Sequence, residues 1–594
     1  MKNHIICLSA LMLLSSMAYA QIPDDVGRRA EPVEINREQP RMRTVSYASQ
    51  DEAIAGDRSE QSRYFRPIAE WARTTDGAGN AVYTGIFRVP FAWLERQHFL
   101  HIGAATSSYV VRVNGTEAGY NQSGRTAAEF DVTAASQEGP NTVEITVLRD
   151  PASAILQSAQ TPPAITGETY VVSQPRIRIR DYTARANLAG DITSLELGVI
   201  VKSHLLNPKS VRVYYALFDP DGRPGPYGHR DADFEMKLED TVRFFVNIPD
   251  PRPWSHESPS TYTLALRLQH EGRFTEYVAY NIGLRTVDVR DGELFINNRP
   301  VPIHMADYSF GGSVAEAERE LRALKQSGIN TIKVRGSPQP EAFYALCDRL
   351  GLYVCNQADI DTRAHGESRA VGGNPSNDPQ WAAAFVDRAV TMYRTSKNHP
   401  SVVMFSLAEN SANGYNLYES YFAIRELEHY RPVVYLDGEA EWNSDALRAA
   451  LHARAPVGLE RRVRIETTPA TDAVSGAAPT ISTGPREGTF IIHNNNLTAP
   501  LRAATLIWTV RQGRRVVERG ETVVAESIRA GESATATVTY GKAKRGTPLT
   551  VELTVYRPRE AFDPAPIAFG GRRNRNALPA HLIRLTEQTF NIPF

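Results

Sequence analysis

From Tyr83 onward the chain runs in short stretches where apolar side chains fall at every second position. These are Tyr83–Pro90, Phe99–Ile102, Tyr109–Gly115, Ala128–Thr133, Asn141–Val147 and Tyr170–Val172. Alternation of this kind buries one face of a strand, and its regular interruption by turn residues predicts an all-β sandwich. Asn114-Gly115 supplies the positive-φ pair that a tight hairpin needs. The same texture continues from Thr183 to Val287, with strands predicted at Leu195–Val201, Val211–Tyr215, Thr241–Val246 and Thr261–Leu266, hence a second sandwich.

At Gly292 the period changes. A hairpin over Leu294–Val301 leads into a predicted strand at Val301–Met305, then a helix over Val314–Gln326 opened by Ser313 and closed by Gly328. A strand at Thr331–Val334, a helix at Pro340–Leu350, a strand at Gly351–Cys355 and a long helix at Trp381–Ser396 follow. The apolar, β-branched run Val402–Phe405 then reads as a strand buried on both faces, and Pro432–Leu436 as a fifth strand. Alternating strands and helices predict parallel βα units. One helix-like segment, Asp445–Arg454, precedes a return to sandwich-type strands near Val463.

A length of 594 residues exceeds what one core supports, so several domains are expected. The net charge of -1 leaves no electrostatic footprint for nucleic acid or an anionic membrane surface. Lys2 and His4 precede an apolar run, Ile5–Met17, that is too short to span a bilayer, and Ala18-Tyr19-Ala20 forms a small-residue cleavage pattern. Export by a signal peptide to the periplasm or cell surface of a bacterium is therefore expected, with no integral membrane segment. Cys347 and Cys355 remain after cleavage, and both fall in apolar patterns that predict buried thiols.

Several motifs carry a family resemblance. Val113-Asn114-Gly115, Gly119-Tyr120-Asn121-Gln122 and Ala128-Glu129-Phe130-Asp131-Val132-Thr133 resemble the sugar-binding jelly roll of glycoside hydrolase family 2, with the large bacterial β-galactosidases as the nearest type. Pro253-Trp254-Ser255 is similar to the signature that ends the family's immunoglobulin-like second domain, where Trp254 reads as a core anchor. Gly328–Lys333, Phe343–Val354 and Lys397–Val403 resemble the family's barrel. The implied fold is multidomain β plus α/β: a jelly-roll β-sandwich, an immunoglobulin-like sandwich, a truncated TIM-type (β/α) barrel and a C-terminal immunoglobulin-like sandwich. The corresponding segments are 1–20 signal peptide, 21–45 flexible lead-in, 46–175 jelly roll, 176–287 second sandwich, 288–455 partial barrel, 456–560 third sandwich and 561–594 tail. The last three βα units of a full barrel are expected to be missing.

A retaining glycosidase needs two carboxyl groups about 5–5.5 Å apart, one as acid/base and one as nucleophile. The resemblance places the family's acid/base at Asn410 and its supporting amide at Glu409, in Ser406-Leu407-Ala408-Glu409-Asn410-Ser411. An amide has no ionisable proton, so Asn410 cannot serve as general acid. Glu409 is the substitute candidate, with Glu439 or Glu441 as the late carboxylates, both otherwise solvated loop residues. Asp307, Asp359 and Asn410 are candidate substrate-binding groups at strand ends. The family's β-galactosidases use Mg²⁺ and Na⁺ on carboxylate ligands. Their ligand positions are altered here, Asp359, Asp361 and His365 read as loop polar residues, and neither metal nor cofactor is expected. The first-domain loop that reaches the sugar site in the family has become Ile155–Thr161, without its acidic residues. Three readings follow. One is a catalytically impaired homologue that binds a glycan or a protein partner, with homo-oligomer formation open. Another is a glycosidase with Glu409 as rearranged acid/base, and the third is a structural component of an exported or surface assembly.

Overall fold

The computed structural model describes residues 21–594 apart from 24, 56–60, 158–160, 190–191, 206–209, 235–237, 437–440, 442, 446–476, 485, 561 and 564–580. The signal-peptide segment, Glu439 and nearly all of the helix-like stretch 445–454 lie outside the described residues. So does most of the stretch where later barrel units were expected to be missing. The chain divides into two compact units. The first holds residues up to Gln39, Tyr64–Ala154 and Gln160–Pro175; the second holds Pro40–Arg63, Ile155–Ala159 and Arg176–Phe594.

The first unit is the jelly roll. A six-stranded and a four-stranded sheet share one core, in which Phe87, Leu100, Tyr109, Val111, Phe130 and Val143 are all buried. Residues 21–45 are not the flexible lead-in that their polarity predicts. Glu34–Ile35 pairs antiparallel with Thr116–Asn121, and Ile22 is buried against Val110 and Tyr120. A few apolar side chains spaced along a charged stretch suffice to dock it. The jelly roll also does not begin at 46 as one block: residues 40–63 belong to the second unit. Met42 is buried in the second sandwich, Ser46 Oγ donates to Glu276 Oε1 at 2.6 Å, and Tyr47 N donates to Tyr277 O at 2.9 Å.

In the second unit, sheets of three and four antiparallel strands spanning Ile177–Ile282 form the immunoglobulin-like sandwich. Its end carries Trp254, fully buried as the sequence predicts, with Nε1 donating to Asp348 O at 2.8 Å. Next in the chain come β1 (Met305–Tyr308), α1 (Val314–Gln326), β2 (Thr331–Val334), α2 (Glu341–Leu350), β3 (Tyr353–Gln357), α3 (Ala382–Ser396), β4 (Val402–Ser406), α4 (Tyr415–Arg425) and β5 (Val433–Val434). The strands lie parallel in sequential order, the winding of a TIM-type barrel. Every residue of β2, β3 and β4 is buried. The hairpin residues Val287, Leu294 and Ile296, together with Trp254, pack on Cys355, Met404 and Val434. β1 starts four residues later than predicted. The run from Val301 is taken up first by the hairpin, where Val301 N bonds Leu294 O. α4 has no strong apolar stripe and was not predicted. Cys347 and Cys355 are both buried, as their apolar surroundings in the sequence predict.

The third sandwich has sheets of three and four strands. The tail expected to be weakly structured ends in a strand, Leu582–Ile592, paired antiparallel with Leu549–Pro558. Residues such as Ile583 turn inward there, a pattern that the preceding Pro-, Gly- and Arg-rich segment masks in the sequence. This sandwich is held through Glu257, three residues past Trp254. The Glu257 carboxylate accepts from Leu497 N and Thr498 N at 2.7 Å, from Thr498 Oγ1 at 2.7 Å and from Ala499 N at 3.2 Å.

A buried ion triad fixes the entry to β4. His399 Nδ1 lies 2.7 Å from Asp348 Oδ2 and its Nε2 3.1 Å from Glu341 Oε2, while Ser401 N donates to Asp348 Oδ1 at 2.9 Å. Burial alone would discharge the imidazole, but the Glu341 and Asp348 carboxylates outweigh it and push His399 up to about 10. A folded-state value above the unfolded one contributes stability that is complete below the ordinary histidine range and is lost as pH rises through about 10. His399→Asn is expected to cost about 3–5 kcal/mol at neutral pH, as for other buried pairs stripped of one partner. Urea unfolding of both proteins between pH 6 and 10 checks it: the gap between them should narrow as pH rises.

Candidate functional site

Parallel strands in this winding bring their C-terminal ends together, and the candidate residues lie at those ends. Strand β4 stops at Ser406, but its pairing continues irregularly. Ala358 N bonds Ser406 O at 3.0 Å, Leu407 N bonds Val434 O at 2.9 Å, and Glu409 N bonds Ile360 O at 2.8 Å. A parallel bridge joins Asp361 to Glu409. Asn410 has φ of 45°, in the left-handed region that Asn tolerates better than most residues. Glu409 and Asn410 are therefore not neighbours on a regular strand, and strict alternation of faces does not govern them.

Glu409 is buried and its carboxylate is fully engaged. Oε1 accepts from Arg335 Nε at 2.9 Å and pairs with Nη2 at 2.7 Å; Oε2 accepts from Gly336 N at 3.1 Å and from Gln357 Nε2 at 3.0 Å. Gly336 has φ of 82°, a turn that aims its N–H at the carboxylate at no Cβ cost. Burial pushes Glu409 upward, but Gln357, Arg335 and the Gly336 N–H, with Lys333 beneath, hold it below the ordinary glutamate range. That direction is opposite to what a general acid needs at neutral pH.

Asp307, on β1, is half-exposed and lies 3.5 Å from Arg335 Nη1, so one guanidinium stands between Asp307 and Glu409. Asp359 is buried below this level, accepting from Gln157 Nε2 at 2.9 Å, with Arg388 Nε 3.9 Å away. The loop carrying Leu156 and Gln157 thus reaches the strand ends, and Asp361 N also bonds Leu156 O at 2.9 Å. Asn410 Nδ2 donates to Asp361 Oδ2 at 3.3 Å, and the same oxygen pairs with Arg363 at 2.9 Å. Glu441 pairs with Arg369 at 2.6 Å and accepts from Tyr418; these two hydrogen bonds hold it below the usual range.

The structure brings Asp307 and Glu409 to one guanidinium, and Asn410 to Asp361, while Asp359 sits in a neighbouring buried cluster. Arg335, Gln357 and Gln157 were not singled out from sequence. The available signal was a charged or amide residue at the end of β2 and of β3 beside an acid just past β4; Gln157, in a loop far upstream, carried none. The donor set does not fit the family's Mg²⁺ and Na⁺ sites. Asp359 and Asp361 face arginines, and among the described residues no three His, Cys, Asp or Glu side chains gather to hold a metal.

This is a TIM-barrel-like hydrolase scaffold joined to sandwich domains. Three family models match it: "Glycosyl hydrolases family 2, sugar binding domain" over 40–162, "Glycosyl hydrolases family 2" over 177–285, and "Glycosyl hydrolases family 2, TIM barrel domain" over 287–482. The chain has the domain architecture of glycoside hydrolase family 2. It is 28% identical over 390 residues to a β-galactosidase of Psychromonas ingrahamii, covering 63% of this chain, and 28% identical over 399 residues to one of Photobacterium profundum, covering 64%. It spans only 37% and 38% of those relatives' lengths. In fold it is similar to a β-D-glucuronidase of Dictyoglomus thermophilum, with TM-score 0.54 and 18% identity over 64% of this chain and 74% of that one. A glycosyl hydrolase family 2 member from Bacteroides cellulosilyticus gives TM-score 0.53 and 14% identity over 80% and 81%.

Arg335→Ala removes the main counter-charge from Glu409. The variant is expected to be less stable by about 1–2 kcal/mol, since the half-exposed guanidinium leaves room for water to replace part of the pair. A depressed carboxylate contributes stability above its unfolded value and loses it as pH falls through the folded one. The stability gap between the two proteins should therefore close as pH falls below about 4, the ordinary carboxylate range, in denaturant titrations.

Proposed function

We propose that the protein is an exported family 2 homologue, of β-galactosidase-like descent, that recognises glycans without ordinary retaining hydrolysis. The observation that carries this reading is the state of Glu409. Its carboxylate oxygens are occupied by Arg335, Gly336 and Gln357, it is held ionised, and Asn410 stands where the resemblance puts the acid/base. A general acid must carry a proton and reach the leaving oxygen, and neither condition is met by a carboxylate tied in this way.

A panel of nitrophenyl β-glycosides tests the reading. The full chain is expected to show no turnover above background at any pH from 4 to 9, while binding a glycan in calorimetry. Hydrolysis that disappears in Glu409→Gln would overturn it in favour of the rearranged acid/base. The export half of the proposal rests on the Ile5–Met17 run and Ala18-Tyr19-Ala20. Protein recovered from the periplasm or medium is expected to begin at Gln21, read by N-terminal sequencing; an uncleaved Met1 terminus in the cytoplasm would contradict it.

A further inference from the structure

Charge is divided unevenly along this chain. The whole sequence carries 66 Lys and Arg against 67 Asp and Glu, but residues 480–594 carry 16 against 9. The near-zero total therefore averages over a basic third sandwich. Part of the excess gathers at one end of it. The hairpin turn Gln512–Arg515 places Arg514 and Arg515 there, and the turn ahead of Leu549 places Lys542, Lys544 and Arg545; all five are exposed. The side chain of Gln512 joins the two turns. Its Nε2 donates to Lys544 O at 2.7 Å and to Thr547 O at 3.3 Å, while Lys544 N donates to its Oε1 at 3.1 Å. Gly546 N donates to Phe594 O at 2.7 Å, and Tyr540 meets the Phe594 ring edge-on at 5.7 Å, so the second turn is seated on the end of the sheet.

The acids at this end do not cancel the excess. Glu552 is matched by Arg511 at 2.9 Å, and Glu518 accepts from Thr539 Oγ1 at 2.8 Å. The adjoining turn, tied on by Val538 N to Gly488 O at 2.7 Å, adds Arg486 and Glu487, one of each sign. The five cations stand outside the ion pairs formed among the described residues. Counting Glu518 and a carboxylate at Phe594 against them still leaves this end positive. We propose that it docks on an anionic lipid surface. Cations on the tips of joined turns point outward together, which suits many mobile headgroups better than one enclosed ligand. The arginines pair with phosphate oxygens through their forks, and the lysines add point charge. Among the described residues of either turn no large apolar side chain is exposed, so the contact is electrostatic and reversible, without insertion. It stands apart from the strand-end carboxylates and holds whether or not a glycan binds there.

Flotation of the full chain with vesicles tests it, using phosphatidylcholine alone beside phosphatidylcholine mixed with phosphatidylglycerol. At low salt the anionic vesicles are expected to capture at least about tenfold more protein than the neutral ones, with the advantage falling as salt rises. Arg514→Gln with Arg515→Gln, and Lys542→Gln and Lys544→Gln with Arg545→Gln, are each expected to weaken capture severalfold and in combination to abolish it. Thermal unfolding should be unchanged in all of them, because the five side chains are exposed. Arg230→Gln with Arg243→Gln removes two exposed charges from the second sandwich instead and should leave capture as it was. Equal capture by the two vesicle types, capture untouched in the variant lacking all five charges, or equal loss in the Arg230 and Arg243 control overturns the proposal. Full displacement from the anionic vesicles by soluble polyglutamate at equal charge concentration also overturns it, in favour of an acidic polymer.

Discussion

A carboxylate withdrawn from water has to collect its partners inside the fold, and Asp348 shows how much structure that requirement can organise. Its two oxygens take His399 and the backbone of Ser401, and its carbonyl takes the indole of Trp254. One residue on α2 thereby fixes the end of the second sandwich, the start of β4 and the turn that follows α3. Tyr344, one turn earlier on α2, stacks on the His399 ring and donates to Asn356 on β3. With the entry of β4 set this firmly, its exit is set as well, and Glu409 arrives opposite Asp361 and beneath Arg335.

The two ends of the same sheet treat charge differently. At the N-terminal end, ionised groups are enclosed and serve to lock elements together. At the C-terminal end, Glu409 and Asp361 are again matched, but by Arg335 and Arg363, which remain in contact with solvent. A hydrolytic centre keeps a carboxyl group poised between protonation states, which requires leaving it partly unsatisfied until substrate arrives. Glu409 is instead satisfied in the resting protein. The scaffold keeps its packing, and the carboxylate at this position already has its partners.

Much of this architecture is legible in the residues. Strand alternation marks the sandwiches, the change of period at Gly292 marks the βα units, and Ser313 and Gly328 bracket α1 because capping is a local property. What escaped was decided by distant partners. The 21–45 segment looks unstructured because only a few residues, such as Ile22 and Ile35, dock it. Residues 40–63 carry no mark of their allegiance to the second sandwich, since Glu276, the partner of Ser46, lies 230 positions away. At the site, Glu409 and Asn410 were visible as a pair, but their meaning depends on Arg335 and Gln357 from other strands. No periodicity encodes that meeting; only the parallel order of the sheet does. The positive φ of Asn410, which breaks the alternation assumed for a strand, is likewise a product of the turn it enters.

Glu257 gives the chain a property of a different kind. Among the described residues, the third sandwich hangs by its 497–499 backbone from a carboxylate that precedes the βα units in sequence. Both partners in this attachment lie outside the connection between β5 and the first strand of that sandwich. In that sense the stretch around Trp254 is a clasp, tying the βα units at Asp348 and the third sandwich at 497–499 to one end of the second sandwich.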